Sequence, residues 1–360
     1  MKIAFVTGHY LPFAGGIETH VEQIASRLAA LGDSVTVLTQ TDDPSWPSSE
    51  MIAGVQVRRF PVPVPSRHFA VSPSLGRALM AQRREWDVVH VHGYHSVVPL
   101  LAASSGARPL IFTPHYHGTG HSPVRKVMHW PYRLLGTFIS DVSRRVICVS
   151  EAERSLFVSH FPGAIDKVTV IPNGVDLAEL LAAVPVPTHK TTIVSAGRLE
   201  TYKHVDDTLR AFAQLGHDHQ LIVTGDGPDR ARLERIGREL GLADTVRFVG
   251  RIGTAELYRW YRSADVYVSM SSNEAMGITI LELLACGARV VASDIPAHRE
   301  VNERVGGVLT LVPMASSPEE LAKAIATAAE TPPAHDLRIP AWDAVADATR
   351  AVYDEVIGNA

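Results

Sequence analysis

The chain has 360 residues and a formal net charge of −4, with 46% hydrophobic and 20% charged residues. This length predicts two domains of ordinary size, and the composition is that of a folded globular protein, not of a disordered one. Because the net charge is small and negative, the sequence gives no reason to expect a nucleic-acid partner.

Cysteine content and the first residues indicate the cellular compartment. The chain has only two cysteines, Cys148 and Cys286, both in apolar stretches, which predicts buried thiols in a reducing environment. The apolar run after Lys2 is too short for a signal peptide or a membrane span. We therefore expect a cytoplasmic protein, and peripheral docking at the inner face of the membrane is compatible with this.

Predicted strands and helices alternate through the first half of the chain. Short, continuously apolar runs are typical of strands buried in a parallel sheet. The first such run is at residues 3–7, and further strands are predicted at 35–39, 55–60, 87–92, 109–113, 146–150 and 168–171. Apolar residues at helical spacing predict helices at 17–31, 96–103 and 151–161. The alternation predicts a doubly wound α/β domain, in which ligands bind beyond the carboxyl ends of the strands.

A glycine-rich loop follows the first predicted strand. This strand ends at Gly8, and Gly15 and Gly16 precede the first helix. The spacing is not G-x-G-x-x-G, so a dinucleotide-binding fingerprint is unsupported. A tight turn that requires glycine for its backbone conformation explains the pair on its own.

Histidines are concentrated beyond the fourth and fifth predicted strands. His115 follows the fifth strand and His117 comes two residues later, where a doubly wound domain binds its ligands. The pair His90 and His92 would place two imidazoles on one face of a strand. No carboxylate or cysteine completes a metal-binding spacing. We therefore predict no metal site and expect most of these histidines to line a polar cleft.

The segment 122–138 is basic and aromatic, and it predicts a helix broken at Pro131. Its cations would suit an anionic acceptor or a lipid headgroup. A solvated helix face has the same pattern. The cations of this region are Arg125, Lys126, Arg133, Arg144 and Arg145.

The second half restarts the alternation after a proline-containing connection. Asn173-Gly174 is a turn signal, and weak patterning with two prolines predicts an interdomain linker at 173–190. Strands are predicted at 192–196, 221–224, 246–249, 265–268 and 289–292, and helices at 205–215, 229–240, 255–261, 321–329 and 343–357.

Two cations lie where the first strand of this half passes into its helix. Arg198 follows the strand, and Lys203 precedes the helix by two residues. Arginine can fork to two phosphate oxygens, lysine supplies a point charge, and a helix start adds its dipole. This arrangement predicts a diphosphate site.

Two glutamates separated by seven residues flank another helix start. Glu274 lies in a polar turn, Gly277 opens a helix, and Glu282 lies about a turn and a half inside it. Backbone N–H groups at the helix start can bind an anion, while the carboxylates accept from hydroxyls on either side. A nucleotide-sugar has that shape. The alternative is a loop glutamate and a helix glutamate that form a salt bridge.

These motifs resemble those of retaining glycosyltransferases of family 4. The E-x7-E pair with a central glycine, the Gly-Arg-Leu segment before Lys203 and the segment 171–176 (IPNGVD) carry the resemblance, as do Gly15-Gly16 with Glu18 and His20. Two motifs depart from the usual form: Glu-Ala-Met-Gly replaces Glu-Gly-Phe-Gly, and His204 replaces the glycine after Lys203.

The resemblance implies the GT-B architecture, with two doubly wound, Rossmann-like domains facing each other across a cleft. The expected divisions are an acceptor-binding domain at 1–172, the linker at 173–190, a donor-binding domain at 191–340, and a C-terminal helix at 341–360 that crosses back to the first domain.

The resemblance also implies roles for single residues. His115, with His117 as the alternative, would contact the donor hexose together with Glu274, and Arg198 and Lys203 would hold the phosphates. The implied catalytic residues are thus His115, Glu274, Arg198 and Lys203, and the implied donor-binding residues are Gly15, Gly16, Arg198, Lys203, Arg251, Ile252, Glu274, Met276, Gly277, Ile278 and Glu282.

We therefore expect a metal-independent hexosyltransferase without a cofactor. It would move a hexose from a nucleoside-diphosphate sugar, by family frequency a UDP-sugar, to a hydroxyl of a small-molecule, glycan or lipid-linked acceptor, with retention of configuration. The alternatives are a sugar-nucleotide epimerase of the same architecture, a non-catalytic nucleotide-sugar binding subunit and, less well suited to the two cations, a glycosidase.

Overall fold

The computed structural model describes residues 1–13, 15–63, 70–118 and 123–358, with the backbone alone for 123–132. The chain divides into two compact units. Unit 1 comprises Met1–Gly174 and the C-terminal segment that starts at Trp342, and unit 2 comprises Val175–Ala341.

Unit 1 is built on an eight-stranded sheet in the order β3-β4-β2-β1-β5-β6-β7-β8. All pairs are parallel except β3 with β4. The strands are β1 (Lys2–Thr7), β2 (Ser34–Thr41), β3 (Ser49–Ile52), β4 (Val55–Pro61), β5 (Val88–His92), β6 (Leu110–Thr113), β7 (Arg145–Cys148) and β8 (Val168–Val170). The helices are α1 (Gly16–Ala30), α2 (Pro73–Ala81), α3 (Val98–Ser104), α4 (Pro123–Val142), α5 (Glu151–His160) and α13 (Trp342–Gly358).

Unit 2 has a six-stranded parallel sheet in the order β11-β10-β9-β12-β13-β14. Its strands are β9 (Thr191–Ala196), β10 (His219–Thr224), β11 (Val246–Gly250), β12 (Val266–Ser269), β13 (Arg289–Ser293) and β14 (Thr310–Val312). Its helices are α6 (Leu177–Ala182), α7 (Val205–Phe212), α8 (Arg230–Glu239), α9 (Thr254–Arg262), α10 (Ile278–Ala285), α11 (Pro296–Arg304) and α12 (Pro318–Glu330). Both strand orders are doubly wound, which confirms the predicted fold class.

Each unit has its own apolar core, as burial of one sheet face under helices requires. In unit 1 the core includes the aromatic side chains of Tyr94, Phe112 and Phe157. In unit 2 it includes Leu209 and Val223, from a helix and a strand that pack together. None of the helices in the described part of the chain is both long and apolar enough to cross a membrane.

Several sequence predictions were wrong in detail. Helix α4 continues through Pro131 instead of breaking there, and the predicted linker contains helix α6, which contacts α10 and belongs to unit 2. Cys148 is buried as predicted, but Cys286 is only partly buried. His90 and His92 are buried within unit 1 and do not line a surface cleft.

Candidate functional site

Unit 2 has a hollow at the point where its strand order reverses. Strands β9 and β12 are neighbours in the sheet, but the strand that follows β9 in the chain, β10, and the one that follows β12, β13, lie toward opposite edges of the sheet. The gap beyond the carboxyl ends of two such strands is the usual ligand position in a doubly wound domain. The ends of these two strands and the segments after them line the hollow, with Gly197, Arg198, Lys203, Ser269 and Ser271. We call it the switch-point hollow.

Lys203 and Glu274 form an ion pair beside the switch-point hollow. Lys203 Nζ lies 2.5 Å from Glu274 Oε1, and the two side chains are 19% and 18% exposed. Burial alone would lower the pKa of Lys203 and raise that of Glu274. The attraction between them outweighs burial, so the pKa of Lys203 is raised and that of Glu274 is lowered. Both groups are therefore charged at neutral pH.

Arg198 is the more solvated of the two predicted phosphate-binding cations. Its side chain is 59% exposed, and its Nε lies 3.5 Å from a carboxylate oxygen of Glu200. The structure thus brings Lys203 against Glu274 and leaves Arg198 lining the hollow with most of its guanidinium in water. A hydrated guanidinium remains available to a phosphate ligand.

Glycines hold the loop that carries Arg198 against the next loop of the sheet. A Cβ on Gly225 would lie 2.1 Å from Gly197 O, and one on Gly227 would lie 2.3 Å from Leu199 O. Only glycine permits such an approach between two backbones. The turn Gly225-Asp-Gly-Pro228 thus packs against the segment next to Arg198.

Gly277 shapes the start of helix α10. Its backbone is left-handed, with φ 97° and ψ 60°, and a side chain there would be strained. The first N–H groups of a helix have no carbonyl partner within it, and they can bind an anion. Ile278 is the first helical residue, while the side chain of Met276 is buried, so only its backbone could face a ligand.

Glu282 lies in α10 without a compensating charge. Burial raises the pKa of its carboxyl to about 7. No described residue donates a hydrogen bond to it. A carboxylate that stays unpaired in the ligand-free protein can accept hydrogen bonds from a hydroxyl ligand.

His298, on α11, belongs to the same region and was not predicted from the sequence. Its Nδ1 donates to Ser293 O at 2.8 Å, so Nε2 carries the lone pair and, being buried, has no hydrogen-bond partner in the described chain. The ring lies under Gly277, whose Cβ would be 3.8 Å from its Cδ2, and it interacts electrostatically with Glu274. No sequence motif marks this histidine. It follows strand β13, whereas Lys203 and Glu274 follow β9 and β12.

Arg251 and Ile252 lie outside the switch-point hollow. They follow β11, the edge strand, which β10 and β9 separate from β12. Arg251 is exposed and Ile252 is partly buried. The structure therefore places them at the same carboxyl edge of the sheet but not next to Lys203 and Glu274.

Unit 1 places three histidines together at the carboxyl end of its own sheet. His20 comes from α1, His92 ends β5, and His115 follows β6 with a left-handed φ of 47°. One ring nitrogen from each lies within 4.8 Å of one from each of the others. Burial, and for His92 and His115 the nearby rings as well, lowers the pKa of all three, so the rings are neutral at neutral pH. We call them the three-histidine cluster.

The other predicted residues of unit 1 are not members of this cluster. His117, the alternative to His115, stacks on His95 at 4.4 Å between ring centroids. Gly15 precedes α1, where a Cβ would lie 2.5 Å from Glu18 Oε2, and Gly16 has open space at its Cβ position. The basic residues Arg125 and Lys126 lie where only the backbone is described.

Comparison with known sequences places the chain among glycosyltransferases. The family pattern described as "Glycosyltransferase Family 4" matches residues 14–179, and that of "Glycosyl transferases group 1" matches 178–339. D-inositol 3-phosphate glycosyltransferase of Frankia alni is 30% identical, over 82% of each chain. Alpha-monoglucosyldiacylglycerol synthase of Streptococcus pneumoniae is 28% identical, over 86% of this chain and 75% of its own.

Solved structures show the same fold. Anabaena HepE, crystallised with UDP and glucose, matches with a TM-score of 0.74 and 20% identity, over 99% of this chain and 95% of its own. The two family patterns together cover nearly all of the chain, and the predicted GT-B fold is confirmed. The chain therefore belongs to the glycosyltransferases of family 4.

Proposed function

We propose that this protein is a retaining, metal-independent hexosyltransferase that uses a nucleoside-diphosphate sugar, in the first place a UDP-sugar. The observation that carries the proposal is the Lys203–Glu274 ion pair beside the switch-point hollow. It holds a cation for phosphate and a carboxylate for sugar hydroxyls next to one helix start. The choice of UDP is supported by HepE, which was crystallised with UDP.

In this proposal the main chemical requirement is to stabilise the departing diphosphate. As the bond to the sugar breaks, negative charge develops on the leaving phosphate and positive character on the sugar ring. Arg198, Lys203 and the start of α10 at Gly277 offer positive potential without a metal ion. Gly15 and Gly16, at the start of α1, would let the backbone of unit 1 approach the donor phosphates.

The carboxylates would hold the two sugar rings of the donor. Glu274 would accept from hexose hydroxyls and Glu282 from the ribose hydroxyls. His115 would contact the hexose from unit 1. The backbones of Met276, Gly277 and Ile278 would complete the donor site, and those of Arg251 and Ile252 would meet the base.

We further propose that unit 1 binds the acceptor and unit 2 the donor. The name of the Streptococcus pneumoniae relative contains a glucosyl diacylglycerol, and that of the Frankia alni relative contains inositol phosphate. The first acceptors to test are therefore polyols and lipids with a free hydroxyl. Helix α4 exposes Leu134 and Phe138 one turn apart, as a helix that lies on a membrane surface would. A cytoplasmic location with peripheral membrane contact follows from this proposal.

An assay of hexose transfer tests the proposed function. The purified protein is incubated with UDP-sugars, with and without acceptor extracts, and release of UDP is measured. Lys203→Ala and Arg198→Ala should lower kcat about 10²–10³-fold, and Glu274→Gln should lower turnover more than UDP binding. Arg210→Ala is the matched control, because Arg210 is an exposed cation on the helix after Lys203. Full activity in all three site variants would contradict the site assignment.

Stereochemistry and metal dependence need separate measurements. NMR of the product should show the anomeric configuration of the donor, and transfer should proceed at its full rate in the presence of EDTA. An inverted product or a rate restored only by added divalent metal would refute the corresponding part of the proposal.

A further inference from the structure

The three-histidine cluster contains buried ring nitrogens that no group in the described residues satisfies. His20 and His92 are 1% and 0% exposed, and the Nε2 atoms of both lack a hydrogen-bond partner in the described chain. A buried polar atom without a partner destabilises the folded protein. Such atoms are rare, and the one on His20 points to a group that the protein binds.

One pair of nitrogens in the cluster has the spacing of two imidazole ligands on one ion. His92 Nδ1 and His115 Nε2 are 3.4 Å apart, which is long for a hydrogen bond. Two nitrogens about 2.0–2.1 Å from a tetrahedral zinc ion are about 3.3–3.4 Å apart. One ring nitrogen from each residue lies within 4.8 Å of those of the other two, so the rings would have to approach by up to about 1.5 Å to reach the spacing of zinc ligands.

The surroundings of His20 fix which nitrogen is available. His20 Nδ1 lies 2.7 Å from Asn173 Oδ1, so Nδ1–H donates to the amide oxygen and Nε2 presents its lone pair. A metal-bound histidine is usually oriented in this way by a hydrogen bond from its other nitrogen. His90, the neighbour of His92 on β5, is excluded because Tyr353 and Thr113 occupy both of its nitrogens.

We propose that His20, His92 and His115 form a binding site for a divalent metal ion of the zinc type, with a fourth position open to water. Three imidazoles and one open position are the ligand set of many zinc sites, and imidazole suits zinc, cobalt, nickel and copper. His115 keeps 8% of its surface exposed, so the open position lies on its side of the cluster. The proposal was not available from the sequence, because His20 lies far from the other two residues along the chain.

Cobalt(II) is the probe, because its visible absorption reports tetrahedral coordination. Titration of the whole protein should give one equivalent of bound Co²⁺ with a tetrahedral spectrum, displaced by Zn²⁺. His20→Gln and His115→Gln should abolish the spectrum, and Asn173→Ala should weaken metal affinity about 10–100-fold. His204→Asn is the control, because it removes the histidine of a second potential metal-binding group, His204, Asp206 and Asp207, and should leave the spectrum unchanged.

Two results would overturn the proposal. One is the absence of a tetrahedral spectrum in the wild-type protein at stoichiometric Co²⁺. The other is an unchanged spectrum in both histidine variants. If a variant fails to fold, as judged by circular dichroism, the wild-type titration and Asn173→Ala decide the question.

A consequence for transfer rests on the proposed function. If His115 contacts the hexose, a metal ion on its ring should inhibit transfer, and EDTA should reverse the inhibition. Stoichiometric Co²⁺ binding without inhibition would refute the role of His115 in transfer and leave the metal site intact. The two proposals can therefore fail separately.

Discussion

At the scale of single residues, Glu282 links donor binding to pH. Burial raises its pKa to about 7, and ribose hydroxyls would donate to the ionised form. The affinity for UDP should therefore be highest above pH 7 and should decrease as the pH falls through 7 toward 6. At the lower pH the Glu282 carboxyl of the free protein is protonated and must lose its proton when UDP binds. Calorimetric titration with UDP between pH 6 and 8 measures this.

The control for this prediction is Glu282→Gln. The variant should bind UDP more weakly at pH 8 and show little change in affinity over the same range. A wild-type affinity that does not depend on pH would contradict a ribose contact from Glu282.

His298 is a positioning residue for the turn that carries Glu274 and Gly277. Its ring is fixed by Ser293 and lies under Gly277. His298→Leu should therefore lower kcat for transfer and leave the affinity for UDP nearly unchanged, since UDP lacks the sugar that Glu274 holds. Steady-state kinetics with a UDP-sugar and calorimetry with UDP separate the two effects.

His298→Asn supplies the conservative comparison. Its amide can donate to Ser293 O in place of Nδ1, so part of the lost kcat should return. Equal losses in both variants, together with weaker UDP binding, would indicate that the ring only stabilises the fold.

The residues of the candidate site were predictable to different degrees. Spacing along the chain pointed to Lys203, Glu274 and Glu282, because each follows a predicted strand or lies in the helix after it. The direct contact of Lys203 with Glu274 was not predictable, since 71 positions separate them. His298 was missed for the same reason, because its proximity to Gly277 exists only in the folded chain.

At the scale of elements, the loop after β9 depends on the loop after β10. Gly227→Ala would place a methyl group 2.3 Å from Leu199 O, next to Arg198. The two backbones would have to separate, which should cost about 1–3 kcal/mol of folding free energy and weaken UDP binding. Thermal denaturation and UDP calorimetry measure both effects.

Gly216→Ala is the matched control for Gly227→Ala. Gly216 also lies in a loop of unit 2, and a Cβ there meets nothing within 4 Å. It should leave stability and UDP affinity nearly unchanged. If Gly227→Ala bound UDP normally, the loop that carries Arg198 would not need its neighbour to hold its position.

The elements that the sequence did not predict have local reasons. Strand β3 has only four residues, two polar and two apolar, and pairs antiparallel with β4 through a turn at Ala53-Gly54, where both residues have positive φ. Helix α2 has recognisable start signals, a Ser72 cap and Pro73, but the proline-rich segment before it obscured them. Strand β14 has only three residues, too few to show a period.

At the scale of the whole molecule, the C-terminal helix is part of unit 1 although unit 2 precedes it in the chain. Helix α13 contacts α1, and Arg27 and Arg350 form ion pairs with Asp343 and Asp33. These pairs are partly exposed and contribute little. The buried contact between Tyr353 and His90 is the stronger tie, because its loss leaves a buried nitrogen without a partner.

Tyr353→Phe should therefore destabilise unit 1 by about 1–3 kcal/mol. Tyr353 OH lies 2.6 Å from His90 Nδ1, and both residues are buried. Hydrogen exchange should accelerate in β5 and α13, while the amides of β9 and β12 in unit 2 keep their wild-type protection and act as the internal control. Uniform acceleration across both units would mean that they unfold as one cooperative body, whereas no acceleration would mean that α13 is held by its apolar face alone.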